Sequence, residues 1–417
     1  MLKTFFFGEG MEKITVNGGR PLMGHIYVSG SKNAALPILF ASLAARGVSK
    51  IKRVPDITDT RVALKLISEL GASVLRDGDT VYVDSRRLFF NTPSPLLVSK
   101  IRASTYLMGA MLSAFGRCPL MDFGGCNFAA RPTDLHLYAF MRLGAEIKDD
   151  MIILNNPHPA EICFKKASVG ATANALILAS GIDGKSVIRG HASEPHITAL
   201  VDFLRSMGAE ITMNEDSLTV IGKELHGGTA EVIGDMIEAG SYLGLGLVTG
   251  GQVSVSGSPA EQLSVFCDFL SSVGASVSIE SDKISCRLEG ESKFASVTAA
   301  PYPAFPTDLQ PIAATVLAAA SGGIIYDEVF ADRFGYLNEL SGFGLKSEVH
   351  HGYSEIFPSE LYPGDAKAPD LRGGMACLIC ALGARGESRI YSPELLLRGY
   401  EDLEKKLRCI GANIKFG

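Results

Sequence analysis

The stretch Leu143-Gly144-Ala145-Glu146-Ile147 closes a helical apolar pattern with glycine and alanine and opens an alternating strand, and the chain repeats it. Leu70-Gly71-Ala72-Ser73-Val74, Met207-Gly208-Ala209-Glu210-Ile211, Val273-Gly274-Ala275-Ser276-Val277 and Ile410-Gly411-Ala412-Asn413-Ile414 are further copies. Phe343-Gly344-Leu345-Lys346 is a worn one that keeps the glycine and loses the alanine. The marker glycines at 71, 144, 208, 274, 344 and 411 stand 73, 64, 66, 70 and 67 residues apart, a tighter spacing than unrelated helix ends would give. A helix commonly stops on a residue in the left-handed conformation, which glycine adopts without a Cβ clash, so the motif is mechanical.

Between markers runs a second apolar helical pattern, at 34–45, 104–115, 171–180, 237–249, 309–320 and 374–384, several followed by short strands such as Val187-Ile188 and Val253-Ser254-Val255. The pattern at 312–320 is apolar nearly all round, which predicts helices inside and sheets outside. Six such α/β units fit two clusters of three, each burying its helices in a core of ordinary domain size. The strand pattern near 13–28 precedes the first complete unit and is expected to cross over into the last domain. That divides the chain into 33–232 and 11–32 plus 233–417, with 1–10 as an N-terminal extension.

At 417 residues, 47% hydrophobic and 20% charged, the chain has the composition of a globular protein with large cores. A net charge of −6 argues against a general nucleic-acid or anionic-membrane binder, so an anionic ligand needs a local basic patch. Nothing points to an obligate protein partner. The apolar runs fall short of a spanning helix, and Phe5-Phe6-Phe7 is cut off by Gly8-Glu9-Gly10 before a signal peptide could form. The eight cysteines, at 118, 126, 163, 267, 286, 377, 380 and 409, lack the dense spacing of a secreted disulfide scaffold, so a reducing cytoplasm is expected. Cys377 and Cys380 form a C-x-x-C inside an apolar run with no second pair, which reads as buried helix; no metal or cofactor is assigned.

Polar signals cluster at helix entrances. Gly124-Gly125-Cys126-Asn127-Phe128-Ala129-Ala130-Arg131 sets a thiol among small residues with a guanidinium close by, a setting that favours thiolate; a loop that merely contains a cysteine is the plain alternative. Lys32 and Asn33, in Ser29-Gly30-Ser31-Lys32-Asn33-Ala34, sit where unpaired N–H groups already attract an anion, and Arg102 has a similar position; solvated surface cations are the alternative for both. Asp308, in Phe305-Pro306-Thr307-Asp308-Leu309, precedes an apolar helix and reads as a cap that could serve as a base if it faces a ligand. Asp370 with Arg372, Asp332 with Arg333, and Arg398 supply further charges, each acid–base neighbour pair also readable as a surface salt bridge. His136 and His196 show no third partner, His350-His351 reads as a solvated hairpin, and neither H-E-x-x-H nor a Gly-x-Ser-x-Gly elbow is present.

Taken with Arg131-Pro132-Thr133-Asp134-Leu135-His136, Ser168-Val169-Gly170-Ala171-Thr172, Ala304-Phe305-Pro306-Thr307-Asp308, Asp370-Leu371-Arg372 and Arg398-Gly399-Tyr400, these motifs resemble those of the enolpyruvyl transferases over residues 11–417, and specifically the branch acting on UDP-N-acetylglucosamine. The resemblance implies a two-domain inside-out α/β barrel, three repeats per domain. It implies transfer of the enolpyruvyl group of phosphoenolpyruvate to the 3-hydroxyl of the UDP-sugar, through a tetrahedral ketal. By matching position, Cys126 would be the proton donor and adduct-former and Asp308 the base. Lys32, Arg131 and Arg398 would hold phosphate and carboxylate, with Arg372 near, and Arg333 and Asp370 are counted with the substrate-binding set. Asn33, Arg102, Arg131, Pro132, Thr133, Asp134, Leu135, Lys166, Ala167, Ser168, Val169, Asp308 and Val329 would line the UDP-sugar. Transfer to shikimate 3-phosphate and a non-catalytic nucleotide-sugar binder are the competing readings. Asn33 and Cys126 oppose the first, and the retained acid, base and cations oppose the second.

Overall fold

The computed structural model describes residues 12–124 and 132–417. All six marker glycines lie in the left-handed region, with φ of +90°, +98°, +112°, +98°, +85° and +95° in chain order. The worn copy keeps this geometry: a 3-10 turn, Ser341–Phe343, stops on Gly344. What surrounds the glycines differs. A Cβ on Gly144 would stand 1.9 Å from the Asn156 carbonyl oxygen, whereas one on Gly411 would meet nothing within 4 Å. Gly411→Ala should therefore cost only the backbone strain, about 1 kcal/mol, and Gly144→Ala about 2–4 kcal/mol because a backbone segment must also move. Denaturant midpoints of the two variants check this, and equal shifts would refute it.

Two compact units emerge, Gly30–Ile233 and Met1–Ser29 with Gly234–Gly417, so the chain passes from one to the other twice. Each has its own apolar core. In the first, the helices Lys32–Ala41, Tyr106–Phe115 and Val169–Ser180 are buried over most of their length. In the second, Met236–Val248, Gln310–Ala319 and Leu371–Gly383 pack against one another. Such helices have no wet face to offer, so the polar surface must come from the elements laid over them.

Six small sheets do this, three per unit, five of four strands and one of three among the described residues. In each four-stranded sheet the strand that follows a buried helix lies in an interior position, antiparallel to one neighbour and parallel to another; Gln252–Ser256 pairs antiparallel with Lys283–Leu288 and parallel with Met23–Tyr27. Alternation buries one face. In Thr80–Asp84, Val81 and Val83 point inward while their neighbours are partly exposed. The first strand completes a sheet at the far end of the sequence: Lys13–Asn17 lies between Glu387–Tyr391 and Asn413–Phe416. Cys377 and Cys380 are fully buried in Leu371–Gly383, and burial pushes both thiols up. No described helix is long and apolar enough to cross a membrane.

Candidate functional site

In the unit containing residues 234–417, the helix Gln310–Ala319 is entered through the 3-10 turn Thr307–Leu309, which carries Asp308. No side-chain bond caps either element, so the capping role expected of Asp308 is replaced by another. Its Oδ1 accepts from Arg333 Nη1 at 3.0 Å, and its Oδ2 accepts from Arg372 Nε at 3.3 Å with Nη2 equally near. The two arginine side chains are 3% and 2% exposed, against 29% for Asp308. They are not the surface salt bridges their sequence neighbours suggested. A carboxylate reaching out from a buried cationic floor is the geometry that results.

Asp370 and Arg372, adjacent acid and base in the sequence, do not pair. Asp370 is the N-cap of Leu371–Gly383, its Oδ1 accepting from the N–H groups of Arg372 at 2.8 Å and Gly373 at 3.1 Å. An N-cap side chain folds back over its own first turn, which leaves the arginine to find an acid elsewhere. The neighbours Asp332 and Arg333 also part company: Asp332 is exposed beside His351, while Arg333 turns inward to Asp308. His350 stacks on Tyr353 within the expected hairpin.

The Arg372 guanidinium lies 5.5 Å from the Tyr400 ring centre, and Tyr400 shares a 2.8 Å hydrogen bond with Ser241. Burial works against the charge of Arg372, but Tyr400, Asp308 and Asp235 together outweigh it and hold its pKa above the ordinary arginine value. Arg372 Nη1 is buried without a hydrogen-bond partner among the described residues. A buried orphan donor costs about 1–3 kcal/mol, which an oxyanion at this point would relieve.

Sequence reasoning missed the support for this floor. Thr307 donates to Asp327 Oδ2 at 2.6 Å and accepts from Arg333 Nη1 at 3.1 Å. Asp327 Oδ1 accepts from the N–H groups of Val329 and Phe330, fixing the turn that carries Val329. Burial raises the pKa of Asp327. Arg398 ends the 3-10 helix Pro393–Arg398 and is partly buried. A lone acid at the end of a strand carries no signal for Asp327; only tertiary packing brings it to Thr307.

In the unit 30–233, Lys32 is the first residue of Lys32–Ala41, and its Nζ lies 3.4 Å from Asp59 Oδ2, the side chains 14% and 3% exposed. The solvated reading is thereby overturned, and its partner Asp59, in the first turn of Thr58–Glu69, was not singled out in the sequence. Asn33 follows, half-buried. Arg102 is half-buried in the turn Arg102–Thr105 and donates to the Phe123 carbonyl at 3.4 Å; burial lowers its pKa, with Asp122 opposing. Pro132 and Thr133 lead into Asp134–Arg142, with Pro132 and Asp134 exposed and Thr133 and Leu135 half-buried. Lys166 is exposed, and Ala167 and Ser168 lead into Val169–Ser180, Ser168 Oγ accepting from Ala171 N–H at 3.4 Å. Cys126 and Arg131 lie outside the described residues.

Residues 16–407 match the family model of EPSP synthase (3-phosphoshikimate 1-carboxyvinyltransferase). The chain is 36% identical to the UDP-N-acetylglucosamine 1-carboxyvinyltransferase of Chlorobaculum parvum, with 97% of this chain and 98% of the relative covered. It is 37% identical to UDP-N-acetylglucosamine 1-carboxyvinyltransferase 2 of Streptococcus mutans, over 97% and 99%. The fold is shared with the enolpyruvyl transferase NikO from Streptomyces tendae, at a TM-score of 0.88 and 24% identity, over 97% and 98% of the two chains. It is shared also with EPSP synthase from Acinetobacter baumannii, at 0.71 and 15%, over 97% and 100%. Six repeats in two units, a cation-held aspartate at a helix entrance and these likenesses place the chain in the enolpyruvyl transferase family, with the UDP-N-acetylglucosamine 1-carboxyvinyltransferases.

Proposed function

We propose that this protein transfers the enolpyruvyl group of phosphoenolpyruvate to the 3-hydroxyl of UDP-N-acetylglucosamine and releases phosphate, a cytoplasmic step that commits the sugar to peptidoglycan precursors and needs no cofactor. The relatives' names supply the substrate. The observation that carries the chemistry is Asp308 held between two buried arginines, one with an unsatisfied N–H. An acid and cations on one rigid floor are what a step that moves a proton from an alcohol beside an anionic reactant requires.

In this reading Asp308 takes the proton of the sugar hydroxyl as its oxygen bonds to C2 of phosphoenolpyruvate, and Cys126 gives a proton to C3. The ketal that results loses that proton count again: phosphate leaves C2, a proton leaves C3, and the double bond is restored. Lys32, Arg131, Arg372 and Arg398 offset the charge of phosphate and carboxylate. Asn33, Arg102, Arg131, Pro132, Thr133, Asp134, Leu135, Lys166, Ala167, Ser168, Val169 and Val329 contact the UDP-sugar, while Arg333 and Asp370 act through Asp308 and Arg372. Each unit is an enolpyruvyl transferase domain.

Phosphate release from phosphoenolpyruvate should require UDP-N-acetylglucosamine and stop on treatment with fosfomycin, an epoxide that Cys126 would open to a thioether. A colorimetric phosphate assay with each acceptor decides it. Release supported by shikimate 3-phosphate instead would move the activity to the other branch, and no release with either would leave a binding protein.

A further inference from the structure

The helix Met236–Val248 and its N-cap Asp235 are buried, yet one line along them is polar. Asp235, Glu238 and Ser241 stand three residues apart, so they share a face, and they are 3%, 1% and 0% exposed. Polar groups shut away from water in this way need partners. Asp235 finds its own in the first turn, Oδ1 accepting from the N–H groups of Ile237 at 2.8 Å and Glu238 at 3.1 Å. The other two reach the segment that follows Arg398. Ser241 Oγ shares the 2.8 Å bond with Tyr400, and Glu238 Oε1 accepts from Lys406 Nζ at 2.6 Å.

Ser29 ties these contacts together, with each of its hydrogen-bonding groups engaged. Its N–H donates to Glu238 Oε2 at 2.7 Å, and its carbonyl oxygen accepts from the Asp235 N–H at 2.9 Å. Its hydroxyl donates to Glu401 and accepts from Lys406 Nζ at 2.7 Å. Tyr400, Glu401 and Lys406, the last in the helix Leu403–Cys409, are therefore all held from one side. Gly399 closes the other: a Cβ there would stand 2.6 Å from Leu371 Cδ2. Arg398, at the end of Pro393–Arg398, thus enters a stretch of chain with little room to shift.

Burial raises the pKa of Glu238, and Lys406 opposes it. A buried ion pair adds little stability over apolar side chains of the same volume, so folding alone does not call for this one. We infer that Glu238, Lys406 and Ser29 are positioning residues for Arg398: by holding Glu401 and Leu403–Cys409 they set the course of the turn after Pro393–Arg398, and so the point at which the guanidinium meets phosphoenolpyruvate. This rests on the donor and on the role of Arg398 proposed above. An ammonium with two acceptors and a carboxylate with two donors accept a single arrangement of the three segments that carry them, where apolar contacts would tolerate sliding.

Steady-state phosphate release tests it, with each substrate varied in turn, on wild type, Ser29→Ala, Ser29→Thr, Lys406→Met and Gly144→Ala. Ser29→Ala removes the bridge to Glu401 but leaves Lys406 paired with Glu238, and Ser29→Thr restores the hydroxyl. Misplacing a reacting group by about 1 Å costs about 10²-fold. The KM for phosphoenolpyruvate should therefore rise about 10-fold in Ser29→Ala and about 10- to 100-fold in Lys406→Met. The kcat and the KM for UDP-N-acetylglucosamine should each stay within about threefold of wild type, because Arg398 holds the donor in ground state and transition state alike. Ser29→Thr should return close to wild type. Gly144→Ala, destabilised in the other unit, should melt earlier with both KM values unchanged, which separates positioning from lost stability. Should Lys406→Met not fold, the two Ser29 variants decide alone. An unchanged phosphoenolpyruvate KM in Ser29→Ala, an equal rise in both KM values, no recovery in Ser29→Thr, or the same selective rise in Gly144→Ala would overturn this inference while leaving the proposed reaction standing. Absence of release by wild type with UDP-N-acetylglucosamine would remove both.

Discussion

Asp308→Asn is expected to lower phosphate release by about 10²- to 10⁴-fold at saturating substrates while UDP-N-acetylglucosamine still binds, because general-base steps are worth that much and the amide cannot take up a proton. The substitution keeps one oxygen acceptor for the arginines at 3.0 Å and 3.3 Å and turns its amino group toward the other. Some stability must go with it. Arg333 and Arg372 are 3% and 2% exposed, so weakening their common counter-ion leaves charge in a poorly solvated floor. Breaking a buried pair costs about 3–5 kcal/mol at most, and the 29% exposure of Asp308 reduces this. Thermal melting separates that effect from chemistry. A folded Asn variant that releases phosphate within tenfold of wild type would remove Asp308 as the base.

Cys126→Ala should be as damaging, about 10²- to 10⁴-fold in phosphate release, since it deletes the proposed proton donor to C3. Cys126→Asp provides the discriminating comparison. If proton delivery is the essential service, the carboxylic acid restores turnover and the enzyme becomes insensitive to fosfomycin, because a carboxylate is a far poorer nucleophile toward an epoxide than a thiolate. An inactive Asp variant that still binds both substrates would instead make the covalent adduct obligatory. An Ala variant with full activity would discard the cysteine from the mechanism. Phosphate release with and without fosfomycin reads all three.

The repeat architecture was legible because its signal is local. Each marker glycine ends a helix within a few residues of the pattern it terminates, and all six adopt positive φ, the worn copy at Gly344 included. The buried helices were legible for a like reason: an all-apolar run such as that within Gln310–Ala319 has nowhere to lie except inside. The charged floor was not. Asp308 meets Arg333 across 25 residues and Arg372 across 64, and nearest-neighbour reading assigned both arginines to the wrong acids. Asp370 shows why. Its carboxylate had a nearer use, the N–H groups of its own helix, and proximity in sequence says nothing of that competition. Asp59 beside Lys32 and Asp327 under Thr307 stayed hidden likewise, each joined to its partner only through tertiary packing.

The pairing of Ile14 with Phe416 joins strands some 400 residues apart in the chain. The stretch Gly30–Ile233 can collapse once it has left the ribosome, but in the other unit the strand Lys13–Asn17 cannot sit between its two neighbours until Glu387–Tyr391 and Asn413–Phe416 have been made. Until then that strand is an unprotected edge held in reserve, and a truncation that removes Asn413–Phe416 bares one side of a segment made some 400 residues earlier.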